Sequence, residues 1–168
     1  MLLELIEKIA SETNPLRPPG AVEEGSFEKH CIRCRKCAQA CPYDAIGIVH
    51  GERGLKMGTP YIYPREIPCY LCEDFPCIEV CPTQALEPVA DKRDVRMGIA
   101  VIDQSTCFPY NGILCRACYE RCPIYREAVI LKSELYPEVV KEHCVGCGIC
   151  ENVCPTEPKS IFVISSHK

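Results

Sequence analysis

The chain has 168 residues and a mass of 18.8 kDa, with 16 cysteines, 15 prolines, no tryptophan and a formal net charge of −4. The cysteine content excludes an ordinary cytosolic globular fold, and the few aromatic residues exclude a large apolar core. Positive and negative charges are spread along the sequence without a basic stripe, and every apolar run is short. We therefore expect no nucleic-acid partner and no direct membrane span.

The residues that precede the first cysteine divide into a helix and an arm. Apolar residues recur at helical spacing within residues 1–14, which predicts an amphipathic helix that packs on its own domain or docks on a partner subunit. The prolines and glycines of residues 15–30 indicate an ordered arm or linker. Residues 1–28 are thus predicted to form an N-terminal helix and arm, followed by a cysteine-rich part at residues 29–168.

The cysteines form four groups of four, and each group ends in a Cys-Pro pair. The first and last groups have the spacing Cys-x2-Cys-x2-Cys-x3-Cys, and the middle two differ from it in one gap each. In chain order the groups are Cys31, Cys34, Cys37 and Cys41; Cys69, Cys72, Cys77 and Cys81; Cys107, Cys115, Cys118 and Cys122; and Cys144, Cys147, Cys150 and Cys154. This is the run by which bacterial ferredoxins bind [4Fe-4S] clusters, the fourth cysteine ligating the other cluster of a pair.

Thiolates are the soft ligands that iron–sulfur clusters prefer, and two-residue gaps let one loop reach three corners of a cube. The proline after the fourth cysteine turns the chain away from the loop. All sixteen cysteines are therefore predicted to be iron ligands of four [4Fe-4S] clusters. No catalytic constellation is apparent, which indicates a non-catalytic electron-transfer protein.

Two other uses of cysteine fit less well. Structural zinc needs two separated Cys-x2-Cys pairs and has no use for a third evenly spaced cysteine. A disulfide scaffold would have to close very small loops, and it is typical of secreted chains.

The repeat extends beyond the cysteines. Strand-like segments follow each Cys-Pro pair, at residues 45–49, 85–86, 128–131 and 160–164, and others precede three of the loops, at residues 61–63, 99–103 and 138–141. Each unit is predicted as strand, cluster loop, short helix with the third and fourth cysteines, and strand. Two units make one two-cluster module, so we expect an α+β fold of two fused bacterial-type ferredoxin-like modules. Spacing alone permits both sequential pairing of the units (first with second, third with fourth) and nested pairing (first with fourth, second with third).

Basic residues cluster near several cysteines and are predicted to compensate the negative charge of the clusters rather than to bind a ligand. They are Arg33, Arg35, Lys36, Arg116, Arg121 and Arg126.

Several stretches outside the cysteines carry a family resemblance. They include Leu16-Arg17-Pro18-Pro19-Gly20-Ala21, Cys41-Pro42-Tyr43-Asp44, Gly58-Thr59-Pro60-Tyr61 and Arg96-Met97-Gly98. With these stretches the chain resembles, over about residues 16–165, the polyferredoxins of periplasmic nitrate reductase and methylamine dehydrogenase gene clusters, the NapG/MauM type.

The resemblance to four-cluster subunits of this kind implies nested pairing. One module would then comprise residues 29–50 and 136–165, and the other residues 60–131. The implied ligand sets are Cys31, Cys34, Cys37 and Cys154; Cys144, Cys147, Cys150 and Cys41; Cys69, Cys72, Cys77 and Cys122; and Cys107, Cys115, Cys118 and Cys81.

The resemblance also implies partners. Relatives of the nitrate reductase type begin with a twin-arginine leader, whereas this sequence has no Arg-Arg pair before Leu16, so we expect a cytoplasmic location. Cytoplasmic relatives serve tungsten enzymes that resemble aldehyde ferredoxin oxidoreductase. We therefore expect a hetero-oligomer with a large tungsten or molybdenum pterin subunit and a further redox protein. The alternative is a quinol-side ferredoxin of a nitrate reductase system.

Overall fold

The computed structural model describes residues 15–51 and 56–167, so the helix predicted for residues 1–14 lies outside the described residues. The helices are α1 (Glu24–His30), α2 (Lys36–Ala40), α3 (Pro76–Glu79), α4 (Ala117–Glu120) and α5 (Ile149–Asn152). The strands are β1 (Ile46–Ile48), β2 (Pro60–Ile62), β3 (Gly98–Ile102), β4 (Val129–Lys132), β5 (Tyr136–Val139) and β6 (Ile161–Ser165), and 3-10 turns span Lys92–Asp94 and Phe108–Asn111. Across the described ranges no helix has the length and apolar character needed to cross a bilayer.

Most of the predicted strands are present. The segments predicted after the first, third and fourth Cys-Pro pairs become β1, β4 and β6, and those predicted before the later loops become β2, β3 and β5. Residues 85–86 contribute only an isolated bridge between Leu86 and Ala21. A two-residue segment is too short for a ladder of its own, which accounts for the difference.

The helices differ from the prediction at their ends. Each cluster-loop helix, α2 to α5, carries the third cysteine of its group, but the fourth cysteine lies just beyond the helix. Cys41, for example, is the extended residue that follows α2, at φ −72° and ψ 114°. The proline after each fourth cysteine disfavours the helical conformation in the residue before it. The predicted arm is also shorter than expected, because α1 occupies residues 24–30.

The strands close two modules of the same topology. In the first module (residues 16–87), β1 and β2 form an antiparallel pair. The two ends of this module are joined by a hydrogen bond from the Glu87 N–H to the Gly20 carbonyl, at 2.7 Å. In the second module (residues 97–166), β4 and β5 form the corresponding pair and β3 pairs antiparallel with β6. Each module therefore contains two consecutive units of the repeat.

The nested modules predicted from the resemblance are wrong. The β1–β2 pair joins the first unit to the second, and the β4–β5 hairpin joins the third unit to the fourth. The hairpin turn between Lys132 and Tyr136 contains only three residues, so this pairing closes with a small loss of chain entropy. Consecutive elements that pair locally are also the commoner arrangement in folds.

A buried arginine fixes the N-terminal arm to the first module. Arg17 is fully buried, and its guanidinium donates to both carboxylate oxygens of Glu24, to Thr59 Oγ1 at 2.8 Å and to the Pro60 carbonyl at 2.7 Å. The same guanidinium lies 4.6 Å from the centre of the Phe27 ring. The contacts tie the arm, α1 and the start of β2 together, so the motif that carried the family resemblance has a structural role.

Replacing Arg17 by methionine should destabilise the chain by about 3–5 kcal/mol, because the buried Glu24 carboxylate loses both of its hydrogen bonds to Arg17 and keeps only the longer ion pair with Lys56, at 3.9 Å. Chemical denaturation of the cluster-loaded protein measures the change. The double variant Arg17→Met with Glu24→Leu is the control, and it should recover most of the loss because no buried charge then remains unpaired. An equal loss in both variants would contradict the proposed cause.

The two modules meet along one segment and one helix. Asn152 Nδ2 at the end of α5 lies 3.1 to 3.2 Å from the carbonyl oxygens of Pro64, Arg65 and Glu66, and Arg65 Nε donates to Glu151 Oε1 at 3.0 Å. Gly148 has φ 83°, and a Cβ there would lie 2.4 Å from Pro64 Cβ. This glycine therefore allows the close approach of the two modules.

Candidate iron–sulfur sites

The fold gathers the sixteen cysteines into four sets, each with three cysteines from one loop and the fourth from the other unit of the same module. Site 1 contains Cys31, Cys34, Cys37 and Cys81. Site 2 contains Cys41, Cys69, Cys72 and Cys77. Site 3 contains Cys122, Cys144, Cys147 and Cys150. Site 4 contains Cys107, Cys115, Cys118 and Cys154.

These sets correct the ligand sets implied by nested pairing. Cys81 borders site 1 rather than the site of Cys107, and Cys154 borders site 4 rather than the site of Cys31. Cys41 likewise lies with the second loop of the first module, and Cys122 lies with the second loop of the second module. The cause is the pairing of consecutive units, which brings each fourth cysteine to the neighbouring loop.

The cavities fit a cluster rather than a single ion. Sites 1, 2 and 4 are each lined mostly by apolar side chains and by the four thiols. No three of the described His, Cys, Asp or Glu side chains lie close enough to share one metal ion. Four soft sulfur donors around an apolar volume are the ligand arrangement that a [4Fe-4S] cube requires.

Burial alters the acidity of the thiols. Burial first, and neighbouring cysteines second, raise the pKa of Cys77, Cys118 and Cys147 to about 12 and that of Cys37 and Cys107 to about 11. A free thiol with such a pKa is protonated at neutral pH. Iron must therefore displace the protons when a cluster is bound.

Backbone and side-chain groups also reach the sulfur atoms. The Ala45 and Ala100 N–H groups donate to Cys41 Sγ and Cys144 Sγ, each at 3.4 Å. Thr156 Oγ1 lies 3.1 Å from Cys154 Sγ. Hydrogen bonds to sulfur help to set the reduction potential of a cluster. The contact of Ala100 could not be found from the sequence, because only the fold brings this residue of β3 to Cys144.

The four sites form a series. Cys37 of site 1 and Cys77 of site 2 interact electrostatically, as do Cys118 of site 4 and Cys150 of site 3. Between the modules, the Cys69 N–H donates to the Cys147 carbonyl at 3.0 Å, which joins sites 2 and 3. The order is therefore site 1, site 2, site 3, site 4, with sites 1 and 4 outermost. All sixteen cysteines lie in the described ranges, and Cys34 of site 1 alone is exposed.

Comparison with known proteins agrees with the two-module arrangement. Residues 30–85 and 100–161 each match a 4Fe-4S dicluster domain. The ferredoxin-type protein NapG of Escherichia coli is 44% identical over 161 residues, which are 89% of this chain and 70% of the relative. The methylamine utilization ferredoxin-type protein MauM of Paracoccus denitrificans is 39% identical over 162 residues, 91% of this chain and 72% of the relative.

Proposed function

We propose that this chain relays single electrons in series through its four [4Fe-4S] clusters between two redox partners. The chain belongs to the NapG/MauM-type family of ferredoxins, and this membership supports the proposal. The observation that carries the proposal is the series of four cysteine sites. An electron that enters at one outer site can reach the other outer site through the two inner sites.

Sites 1 to 4 supply the ligands in this proposal, four cysteines to each cluster. When bound, each cluster supplies a centre that accepts or releases one electron. The apolar walls of the cavities keep water from the sulfur atoms, and the N–H groups of Ala45 and Ala100 donate to two of them. Both effects influence the potential at which an electron is held.

The junction between the modules keeps the two inner sites at a fixed separation. The bond from the Cys69 N–H to the Cys147 carbonyl gives a short covalent and hydrogen-bonded path between the two inner loops. The contacts of Asn152 and Glu151 with the segment Pro64–Glu66 hold the loops in this relation. The residues of the junction thus position the centres, and the catalytic step belongs to the partner proteins.

The family favours a quinol-side relay over the tungsten enzyme expected from the sequence. The matched relatives carry the names NapG and MauM, and a quinol-side ferredoxin of a nitrate reductase system was the alternative implied by that resemblance. We therefore propose a hetero-oligomeric assembly in which one outer site faces a quinol-oxidising partner. The cytoplasmic location stays a prediction from the sequence.

Anaerobic purification followed by a redox titration tests the relay. The chain should contain iron and acid-labile sulfide for four clusters and should accept about four electrons, one per cluster. Electron paramagnetic resonance of the reduced protein should show broadened signals, because neighbouring clusters interact magnetically. A colourless protein that contains zinc and no sulfide would contradict the proposal.

The choice of partner has a separate test. Anaerobic membranes of the source organism supplied with a quinol should bleach the visible absorbance of the oxidised chain, and an inhibitor of quinol oxidation should prevent the change. Bleaching by the soluble fraction with an aldehyde, and none by the membranes, would instead favour the tungsten enzyme.

A further inference from the structure

Two cluster loops of the chain have the same cysteine spacing and the same backbone conformation but different side chains. The loops are Cys31–Cys37 of site 1 and Cys144–Cys150 of site 3. Each turns through two residues in the left-handed region: Arg33 and Arg35 have φ 58° and 62°, and Gly146 and Gly148 have φ 72° and 83°. Site 1 thus places arginines at the two positions where site 3 has glycines.

Packing explains the glycines of site 3. A Cβ on Gly146 would lie 2.2 Å from the Gly98 backbone nitrogen, and one on Gly148 would lie 2.4 Å from Pro64 Cβ. Site 2 has Leu71 and Phe75 in the left-handed region, at φ 52° and 43°, but both side chains are buried, so packing offsets the unfavourable conformation. The left-handed backbone itself is therefore common to these loops.

The arginines of site 1 differ in their support: Arg33 lies against Gly58, where an added Cβ would be 3.1 Å from Arg33 Cδ, whereas Arg35 is exposed. Arg33 and Arg35 are both exposed, as are their neighbours Ile32, Cys34 and Lys36. A residue with a Cβ is disfavoured in this conformation, and such strain is characteristic of functional positions. At the exposed Arg35, stability alone would favour glycine, so this arginine points to a role for its charge.

The arginines belong to a larger basic surface. We call Arg33, Arg35 and Lys36, which border site 1, the basic collar; all three are exposed, and the sequence from residue 31 to residue 37 contains no acidic residue. Among the described residues, no carboxylate forms an ion pair with Arg35 or Lys36. Arg33 Nε donates to the Met57 carbonyl at 3.0 Å, which orients that side chain.

The collar contrasts with the charge of the whole protein. Each oxidised cluster with four thiolates adds a charge of −2, so four clusters lower the formal net charge from −4 to −12. A strongly negative protein repels an acidic partner except at a local positive surface. The collar provides that surface around Cys34, the exposed cysteine of an outer site.

The other outer site has a different surface. Next to Cys115 of site 4, Ile113 and Leu114 are 53% and 81% exposed, and Arg116 is the one basic residue within the Cys107–Cys118 loop. The two ends of the series therefore present different chemistry, basic at site 1 and largely apolar at site 4.

We propose that the basic collar, together with Ile32 and Cys34, is the docking surface for a redox protein whose electron-transfer face is acidic. This inference rests on the relay proposed above and assigns a partner chemistry to one of its ends. One electron crosses the surface in each encounter; the partner's centre changes by one electron in the opposite sense, and no bond or proton is transferred. Complementary charge of this kind raises the rate of association.

Electron exchange with two protein probes of opposite charge tests the docking surface. The probes are an acidic flavodoxin in its hydroquinone state, which reduces the oxidised chain, and basic ferricytochrome c, which oxidises the reduced chain. At low ionic strength Lys36→Glu should lower the second-order rate with flavodoxin about fivefold or more, and the difference should vanish at high salt. The rate with cytochrome c should stay the same or rise.

Lys132→Glu is the matched control, because it makes the same change of net charge at an exposed residue of the second module whose ion pair with Glu138 lies at the surface. It should leave the flavodoxin rate within about twofold of the wild type. An undiminished flavodoxin rate in Lys36→Glu, or an equal fall with both probes, would overturn the proposal.

The double variant Arg33→Gly with Arg35→Gly separates charge from structure. It should resist thermal unfolding at least as well as the wild type, since glycine accepts the left-handed backbone, yet it should react more slowly with flavodoxin. Arg35→Lys should retain the wild-type rate. A chain with four clusters that exchanges electrons with neither probe would contradict the relay itself, whereas rates that ignore the collar would contradict the docking surface alone.

Discussion

Alanine in place of Cys81 should damage the same cluster as alanine in place of Cys34, and a different cluster from alanine in place of Cys115. Sequential pairing predicts this result because Cys81 borders the cavity of site 1 together with Cys34. Nested pairing would assign Cys81 to the cluster of Cys115. Alanine offers no ligand to iron, so each variant should lose or convert one of the four clusters and leave the other three spectra intact.

The reciprocal variant provides the control. Cys154→Ala should reproduce the spectrum of Cys115→Ala, because both residues border site 4. Redox-titrated electron paramagnetic resonance measures which of the four signals changes in each variant. A Cys154→Ala spectrum that matches Cys34→Ala would restore the nested sets and contradict the arrangement of strands that brings the cysteines together.

The elements and the cofactor could be predicted from the sequence because both leave local signals. A Cys-Pro pair ends each group, and a short β-branched segment marks each strand, so β1, β4 and β6 could be placed close to their observed bounds. The number of clusters follows from the ligand count. These features depend on neighbours in the sequence and not on how distant segments pack.

The pairing of the units could have been predicted from one further signal. The strands expected at residues 128–131 and 138–141 are separated by few residues, and a short connection between two strands favours a hairpin. That hairpin alone places the third and fourth units in one module. The resemblance to nested four-cluster subunits predicts the opposite pairing, and the β4–β5 hairpin contradicts it.

Other parts of the site depend on contacts that no local pattern reveals. Arg17 is an ordinary charged residue in a proline-rich arm, and only the fold shows that it is buried against Glu24 and Thr59. The basic residues near the cysteines were predicted to compensate charge. The exposure of Arg33 and Arg35 supports the docking role proposed above, because a residue that only compensates cluster charge does not have to be exposed.

Removal of the clusters should unfold the chain. The longest helix of the described residues has seven residues and the strands have three to five, lengths at which isolated elements are marginal or unstable in water. Seven cysteines are part of the buried core, where they pack with residues such as Phe27 and Met97. Without the clusters, the cysteines that border each cavity are no longer bonded to a common group, and the walls of the cavity lose their cross-link.

Metal binding and folding are therefore coupled, as they are in other small proteins whose core is built around metal–thiolate bonds. Anaerobic oxidation in the presence of a chelator should abolish most of the far-UV circular dichroism in one cooperative step as the visible absorbance of the clusters disappears. Reconstitution with iron, sulfide and a reductant should restore both signals and release protons, since burial raises the pKa of thiols such as Cys77 and Cys118 to about 12. Native-like circular dichroism in the cluster-free chain would show that apolar packing alone can maintain the two modules.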